Sequence, residues 1–212
     1  LPDFPYNQIE TQVWDMIPSL KKVEPAEGVT VVEAMPEVTF VSSEIPGWYR
    51  ITLDGNCKVE AADEDGAFYA KVTIDNLRRN AGGNELPNLV IEDWPDLGYR
   101  GLMLDISRNF TTKDNILKLI DLLAHYKVSV FHLHFGDDEG WRLDIEKFPE
   151  LTAYGAHHAF PEKNAEGEYI ETEYLMPSYN GSVDLGGRRI ITKKNLTKAD
   201  YIEILKYAWE RR

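Results

Sequence analysis

Two polar clusters in the middle of the sequence carry side chains suited to chemistry. The first is Ser107-Arg108-Asn109, and the second is the acidic run Asp137-Asp138-Glu139. Three adjacent carboxylates repel one another unless a bound group uses them or water solvates them. Two interpretations follow: a site at which Arg108 and the acidic run act together, or a solvated loop with an ordinary arginine salt bridge.

The elements that must position these clusters form a β-α-β unit. Apolar runs predict buried strands at Gly101–Ile106 and Lys127–Phe135, and each run ends in one of the two clusters. Between them, Thr111 and Asp114 approximate a capping box ahead of residues with helical apolar spacing. Strands of such a unit are parallel, so their carboxyl ends meet at one edge of the sheet. Arg108 and the acidic run should therefore share one rim.

The residues before this unit predict a small α+β layer. Short β-prone runs at Val29–Val32, Val38–Val41, Trp48–Leu53 and Lys58–Ala61 are separated by turn signals. A helix is expected over Asp63–Asn80 with Gly82-Gly83 as its stop, and Leu89–Ile91 would close the sheet. A helix on one face of a mostly antiparallel sheet makes a domain of residues 1–95.

The residues after the unit are less regular. About forty residues beyond Leu151 lack a sustained period, and a stretch of that length in a compact domain is usually functional or disordered. We expect it to form a lid or subsite wall over the rim. Thr197 and Asp200 then repeat the cap spacing, and a helix is expected with Ile202, Leu205 and Trp209 on its apolar face.

Composition sets outer limits on function. The chain has 212 residues and a formal net charge of −13, which makes nucleic acid or an anionic membrane an unsuitable partner. Its one cysteine excludes an intrachain disulfide, and it has neither a membrane-spanning apolar run nor a signal peptide. A start at Leu1 suggests a processed or shortened product.

Two motifs closely resemble the start of the catalytic barrel in glycoside hydrolase family 20, the β-N-acetylhexosaminidases. They are RGLMLDISR at residues 100–108 and FHLHFGDDEGWR at residues 131–142, in the family's order and separation. Phe148–Leu151 and Gly155-Ala156 extend the match, and Asp65–Tyr69 with Ile91–Pro95 resemble the family's small preceding domain more weakly. Asn109 and Gly136 depart from the pattern, since relatives often carry histidine and a larger residue there.

The resemblance implies an α/β architecture: a small α+β domain at 1–95, then at 96–212 the first part of a (β/α)8 barrel. Only about 115 residues follow Asp96, whereas a complete barrel takes about 250. We therefore expect about two βα units and the front end of a longer protein.

The implied activity is removal of terminal β-linked N-acetylglucosamine or N-acetylgalactosamine by a retaining, substrate-assisted route. Arg108 matches the arginine that binds hydroxyls of the terminal sugar, and Asp137 matches an acidic residue that supports the general acid without being that acid. His134, Asp138 and Trp141 are further candidates at the same rim. The acid itself belongs to an Asp-Glu pair on a later strand, beyond Arg212, so the isolated chain is expected to be inactive.

The expected partners are glycans containing N-acetylhexosamine, with neither a cofactor nor a metal. Because the family works on external glycans, a secreted, periplasmic or cell-surface location is expected. Tyr154, Tyr174, Tyr179 and Trp141 are candidates for stacking on sugar faces, although such residues are more often packing residues.

Two alternatives stay open. The chain alone would be a non-catalytic sugar-binding or scaffold fragment. A minor alternative is a zinc-dependent amidohydrolase, because His132 and His134 place two imidazoles on one strand face near Asp137. Two histidines are too few ligands for that site, and in the glycosidase interpretation they are wall residues.

Overall fold

The computed structural model describes residues 11–138, 140–158, 164–166, 192–193 and 195–211. The chain divides into two compact units. Unit 1 comprises the residues up to Arg100 together with Ala124–Ser129, and unit 2 comprises Gly101–Leu123 and Val130–Arg211. In the described part of the chain, no helix has the length and apolarity needed to cross a bilayer.

Unit 1 is built on a five-stranded sheet. Its strands are β1 (Lys22–Val31), β2 (Val38–Phe40), β3 (Tyr49–Leu53), β4 (Cys57–Ala61) and β5 (Glu85–Asp93). Their spatial order is β1-β5-β3-β4-β2, and each neighbouring pair is antiparallel except β2 with β4. The predicted mostly antiparallel sheet is confirmed.

The sheet has one apolar and one polar face because side chains alternate along each strand. Tyr49 and Leu53 of β3 are buried, whereas Arg50 between them lies on the polar face. On that face Glu92 of β5 accepts hydrogen bonds from Lys22 of β1 at 2.8 Å and from Arg50 at 3.2 Å. These cross-strand ion pairs help to hold the register of three strands.

Helix α1 (Glu64–Ala81) covers the apolar face. The Asp63 carboxylate caps its start by accepting a hydrogen bond from the Gly66 backbone N–H at 2.8 Å. Gly82 ends it in the left-handed conformation at φ 70°, where a residue without Cβ is favoured. The predicted helix and its glycine stop are confirmed.

Strand β1 begins at Lys22, well before the predicted start at Val29. Its first half contains Glu24 and Pro25, which give no apolar signal, and it lies at the edge of the sheet. The pairing register shifts between Pro25 and Val29, and Gly28 in that gap has φ 97°. Edge strands tolerate charge, proline and bulges, so the pattern expected of a central strand is absent.

A buried ion pair lies inside unit 1. The Lys127 ammonium group donates to Asp93 Oδ2 at 2.9 Å and to the Tyr49 hydroxyl at 2.7 Å. The Tyr49 hydroxyl donates to the same carboxylate at 2.7 Å and lies 2.6 Å from the Thr73 hydroxyl. Burial lowers the pKa of Lys127, although the Asp93 charge opposes that shift.

Unit 2 contains the predicted β-α-β motif, formed by β6 (Gly101–Asp105), α2 (Lys113–His125) and β7 (Val130–His134), with the last two residues of α2 in unit 1. Strands β6 and β7 are parallel, with Gly101 opposite Val130 and Asp105 opposite His134. Ile116 and Ile120 of α2 pack with Ile106 in a buried cluster. The parallel pairing is confirmed, whereas the predicted burial of β6 is wrong, because Leu102 and Met103 are 41% and 54% exposed.

The loops before and after α2 differ in detail from the predictions. The Thr111 hydroxyl accepts from the Asn115 side chain at 3.0 Å, and the Thr112 carbonyl accepts the first helical N–H groups, so the predicted Thr111 cap is wrong. The predicted strand from Lys127 starts instead at Val130. Lys127 has φ 56° in the turn between α2 and β7, where its side chain can reach the buried carboxylate of Asp93.

The rest of unit 2 consists of short elements and one longer helix: β8 (Gly136–Asp137), β9 (Gly140–Trp141), α3 (Glu150–Gly155), β10 (His157–His158), β11 (Thr192–Lys193) and α4 (Lys198–Trp209). Most of the predicted lid lies outside the described residues, including Tyr174, Tyr179 and the side chain of Tyr154. Nothing about their proposed stacking is tested.

The capping box of α4 is confirmed. Thr197 Oγ1 accepts from the Asp200 backbone N–H at 3.1 Å, and Asp200 returns the bond to the Thr197 N–H at 3.0 Å. Ile202, Leu205 and Trp209 share one face of α4, but that face is not the buried one, because Leu205 and Trp209 are 52% and 80% exposed. Ile204, at 3% exposure, makes the buried contact on another side of the helix, where helical spacing is equally satisfied.

Candidate functional site

Arg108 follows the carboxyl end of β6 and is fixed there by Asp105, the last residue of that strand. Asp105 Oδ1 accepts hydrogen bonds from the backbone N–H groups of Ser107 at 2.9 Å and Arg108 at 3.1 Å. Asp105 Oδ2 accepts from Arg108 Nη1 at 2.7 Å. One carboxylate therefore orders both the backbone and the guanidinium of Arg108.

Asp137 follows β7 and lies in the short antiparallel pair of β8 and β9. Its Oδ2 is 2.7 Å from Nε2 of His134, and its Oδ1 accepts the Asp138 backbone N–H at 2.7 Å. Arg108 Nη2 lies 2.8 Å from Asp137 Oδ2 and 3.7 Å from Asp138 Oδ1. These distances confirm that Arg108 meets Asp137 and Asp138 at one rim, while Glu139 lies outside the described residues.

The electrostatics of the rim keep its charges in place. Burial opposes ionisation of Asp105, but hydrogen bonds from Arg108 and Ser107 outweigh it and lower the pKa of Asp105. Asp138, through its side chain and its backbone N–H, and then His134 hold the pKa of Asp137 well below its usual range. The hydrogen bond to Asp105 raises the pKa of Arg108. At neutral pH the rim therefore presents a cation between two ionised carboxylates.

The solvent exposure of Arg108 and Asp138 distinguishes this rim from a buried structural ion pair. The Arg108 side chain is 47% exposed, and Asp138 is 58% exposed, while Asp105 and Asp137 are about one-fifth exposed. A polar ligand can therefore approach the guanidinium while the less exposed carboxylates hold it. An exposed salt bridge has the same contacts, so the roles assigned to these residues stay predictions.

Trp141 lies beside the rim in a packed position. Its ring meets Phe135 edge to face at a centroid distance of 5.5 Å, and its indole N–H donates to the Leu143 carbonyl at 2.5 Å. A Cβ built on Gly136 would lie 2.7 Å from the same ring. The space that Trp141 occupies explains the glycine at this position.

His132 and His134 lie on one strand, with ring centroids 6.2 Å apart. His134 is engaged with Asp137. Within the described residues, no group of three or more His, Cys, Asp or Glu side chains is placed to hold a metal ion.

Sequence reasoning missed two residues that shape the rim, Asp105 and Arg142, and it gave no role to Ser107. Asp105 is a charge at the end of an apolar run, and that position was the available signal. Arg142 is 1% exposed and donates to backbone carbonyls, including that of Ser107. Such contacts leave no sequence pattern, because every residue has a carbonyl group.

Two family models match this chain. The model described as "Glycosyl hydrolase family 20, catalytic domain" matches residues 97–212, and the model described as "Glycosyl hydrolase family 20, domain 2" matches residues 17–94. The first match alone covers more than half of the chain.

Curated relatives agree with these models. The N,N'-diacetylchitobiase of Vibrio harveyi is 40% identical over 166 residues, which cover 78% of this chain and 18% of the relative. A β-hexosaminidase of Vibrio vulnificus is 34% identical over 171 residues, covering 80% of this chain and 19% of the relative. The chain thus spans about a fifth of the length of these curated relatives.

Solved structures share the fold. A glycoside hydrolase family 20 β-N-acetylglucosaminidase superposes with a TM-score of 0.66 at 26% identity, covering 92% of this chain and 38% of that structure. An exo-β-N-acetylglucosaminidase of Vibrio harveyi in complex with N-acetylglucosamine superposes at 0.70 with 24% identity, covering 95% and 35%. The second likeness concerns the fold alone.

Proposed function

This chain belongs to glycoside hydrolase family 20, and on that premise we propose that it forms the front part of a β-N-acetylhexosaminidase. The protein would remove terminal β-linked N-acetylglucosamine or N-acetylgalactosamine from glycans. The observation that carries the proposal is the exposed Arg108 guanidinium held between Asp105 and Asp137 at the carboxyl ends of two parallel strands. Ligand chemistry in parallel α/β folds collects at that edge.

Arg108 would bind hydroxyl groups of the terminal sugar. A guanidinium suits vicinal hydroxyls because it presents donors in a planar fork and stays charged. The Asp105 and Asp137 carboxylates orient that fork before the sugar arrives, which reduces the ordering that binding requires.

Asp137 would support the general acid electrostatically. Its pKa is held well below the usual range, so it stays ionised throughout the pH range in which a glycosidase works. A retained negative charge near a carboxylic acid disfavours that acid's ionisation and keeps its proton available for the leaving oxygen. His134, 2.7 Å from Asp137, fixes the direction of that carboxylate.

The bond-breaking step would use the substrate itself. The acetamido oxygen attacks the anomeric carbon, the leaving oxygen takes a proton, and water then opens the cyclic intermediate with retention. The proton donor is not among the residues described here. This chain's own part is to bind the sugar and to supply a fixed negative charge.

The test compares two substrates. The protein, expressed with its natural downstream sequence, is expected to hydrolyse an aryl N-acetyl-β-glucosaminide faster than the matching aryl β-glucoside by about 10³-fold or more, because the glucoside lacks the internal nucleophile. Equal rates would refute the substrate-assisted route. Binding of N-acetylglucosamine without turnover would instead favour the non-catalytic alternative.

A substitution tests the role of Arg108. Arg108→Lys keeps the charge but removes the fork, and it is expected to lower kcat/KM by about 100-fold, mainly through KM. Arg78→Lys is the matched control, since Arg78 bonds to Asn84 on unit 1 and has no proposed role. An unchanged KM in Arg108→Lys would remove the proposed contact.

We also propose that the protein acts outside the cytoplasm, at the cell surface, in the periplasm or in the medium. The support is that family members work on external glycans. Fractionation of the source cells followed by an activity assay on each fraction tests this location.

A further inference from the structure

Arg142 is a buried arginine that holds the backbone next to Arg108. Its Nε and Nη2 donate to the Ser107 carbonyl at 3.0 and 2.8 Å, and its Nη1 donates to the Ala156 carbonyl at 2.9 Å. The residue is 1% exposed. A buried guanidinium is costly unless its donors are satisfied, and carbonyl oxygens satisfy them here.

The surrounding chain is shaped to admit this guanidinium. A Cβ built on Gly140 would lie 2.8 Å from Arg142 Nη2 and 2.9 Å from the Gly155 carbonyl oxygen. The Ser107 hydroxyl donates to the Gly140 carbonyl at 2.5 Å, which joins the same two segments a second time. Arg142 therefore links the end of β6 to the β8–β9 pair that carries Asp137.

The Ser107–Arg108 peptide is consequently held from two sides. Arg142 binds the carbonyl of Ser107, while Asp105 accepts from the N–H groups of Ser107 and Arg108. Asp105 also binds the guanidinium of Arg108. Loss of the hydrogen bonds from either Arg142 or Asp105 frees the backbone from which the Arg108 side chain extends.

We infer that Arg142 is a positioning residue for substrate binding, which acts on the sugar through Arg108 by fixing the Ser107 carbonyl. The inference rests on the proposed function for the identity of the substrate. Arg142 itself need not touch the sugar. Its fork matters because one Ser107 carbonyl takes two of its donors and Ala156 takes a third, a geometry that lysine cannot reproduce.

A double-mutant cycle in the protein with its natural downstream sequence tests the inference. Arg142→Lys is expected to lower kcat/KM by about 30-fold, since a misplacement of about 1 Å can cost up to 10²-fold. In an Arg108→Lys background the same substitution is expected to lower it by less than about threefold, because the residue through which it acts is already impaired. Equal losses in both backgrounds would overturn the inference.

Two variants separate positioning from general destabilisation. Thr197→Ala removes a helix cap of unit 2 whose hydrogen bonds run to Asp200 and should leave kcat/KM per folded molecule unchanged. Asp105→Asn weakens the hydrogen bonds that Asp105 accepts from Arg108, and it should show the same non-additivity with Arg108→Lys. If Arg142→Lys does not fold, additivity of Asp105→Asn with Arg108→Lys overturns the two-sided hold.

A structural readout is independent of turnover. In a crystal structure of Arg142→Lys, the 2.8 Å contact between Arg108 Nη2 and Asp137 is expected to lengthen beyond hydrogen-bond reach. An unchanged contact would count against the inference even if the protein hydrolysed no glycoside. Absence of hydrolysis by the unsubstituted protein, by contrast, would remove the proposed function and leave this geometry to be judged on the crystal structure.

Discussion

Replacing Asp93 with asparagine is expected to destabilise unit 1 because it leaves the buried Lys127 ammonium group without its carboxylate partner. The Lys127 and Asp93 side chains are 7% and 9% exposed, and their charged atoms are 2.9 Å apart. Removing one partner of a buried ion pair leaves the other uncompensated, which costs about 3–5 kcal/mol of unfolding free energy. Asparagine has nearly the shape of aspartate, so packing changes contribute little.

The pH dependence of this loss has a definite sign. Burial lowers the pKa of Lys127 below its usual 10.5, and Asp93 opposes that shift, so Asp93→Asn should lower the pKa of Lys127 further. Between the lowered pKa and 10.5, the unfolded chain binds a proton that the folded chain has released, and stability rises with pH in that window. The penalty should therefore shrink as Lys127 becomes neutral.

The assay is urea unfolding followed by tryptophan fluorescence, near pH 7 and at about pH 9.5. Glu92→Gln is the matched control, since it breaks ion pairs on the polar face of the same sheet and should cost about 0.2–1 kcal/mol. Adding Lys127→Met to Asp93→Asn should recover most of the loss, because no buried charge remains. A penalty below about 1 kcal/mol near pH 7, or one that grows at the higher pH, would refute the reasoning.

Three further substitutions, one of them with a control, test the packing in the same urea assay. Thr197→Ala should cost about 1 kcal/mol because it removes the capping box of α4, and no loss would contradict the cap. Gly66→Ala should cost about 1–3 kcal/mol, since its Cβ would lie 2.3 Å from the Trp48 carbonyl oxygen, whereas Gly83→Ala, in open space, should stay within about 0.5 kcal/mol. Ile116→Ala, at 0% exposure, should cost about 2–5 kcal/mol through the cavity it leaves, and a loss below 1 would mean the site collapses.

The β-α-β unit was predictable from sequence because its strands are continuous apolar runs, even though β6 and β7 are only partly buried in this structure. Parallel pairing of these strands also predicts that Arg108 and Asp137 lie at one edge of the sheet. The hydrogen bonds that hold Arg108 in place were not predictable, since Asp105 and Arg142 bind backbone groups, which are the same in nearly every residue. A charged residue beside an apolar run signals that something must satisfy it, but not which atom does so.

The edge position of β1 and the packing partners of α4 and Lys127 account for the other differences between prediction and structure. The charged first half of β1 pairs through its backbone on one side, so its side chains need no apolar pattern. Ile204 and Leu205 of α4 are both apolar, and only packing decides which becomes buried. Lys127 looked like the start of a strand, yet its side chain serves a buried carboxylate that is distant in sequence.

The consecutive order of β6, α2 and β7 in the sequence has a consequence for when this part of the chain can fold during synthesis. The two strands that carry Arg108 and Asp137 are joined by one helix, and Arg142 follows shortly after the second strand. The contacts that join these pieces span about 30 residues, and the entropic cost of closing a loop rises only slowly with its length. Once residue 142 has left the ribosome, Asp105, Arg108, Asp137 and Arg142 are all present in the nascent chain. In a nascent chain stalled after this segment has cleared the ribosome, the amides of the rim should already be protected from exchange.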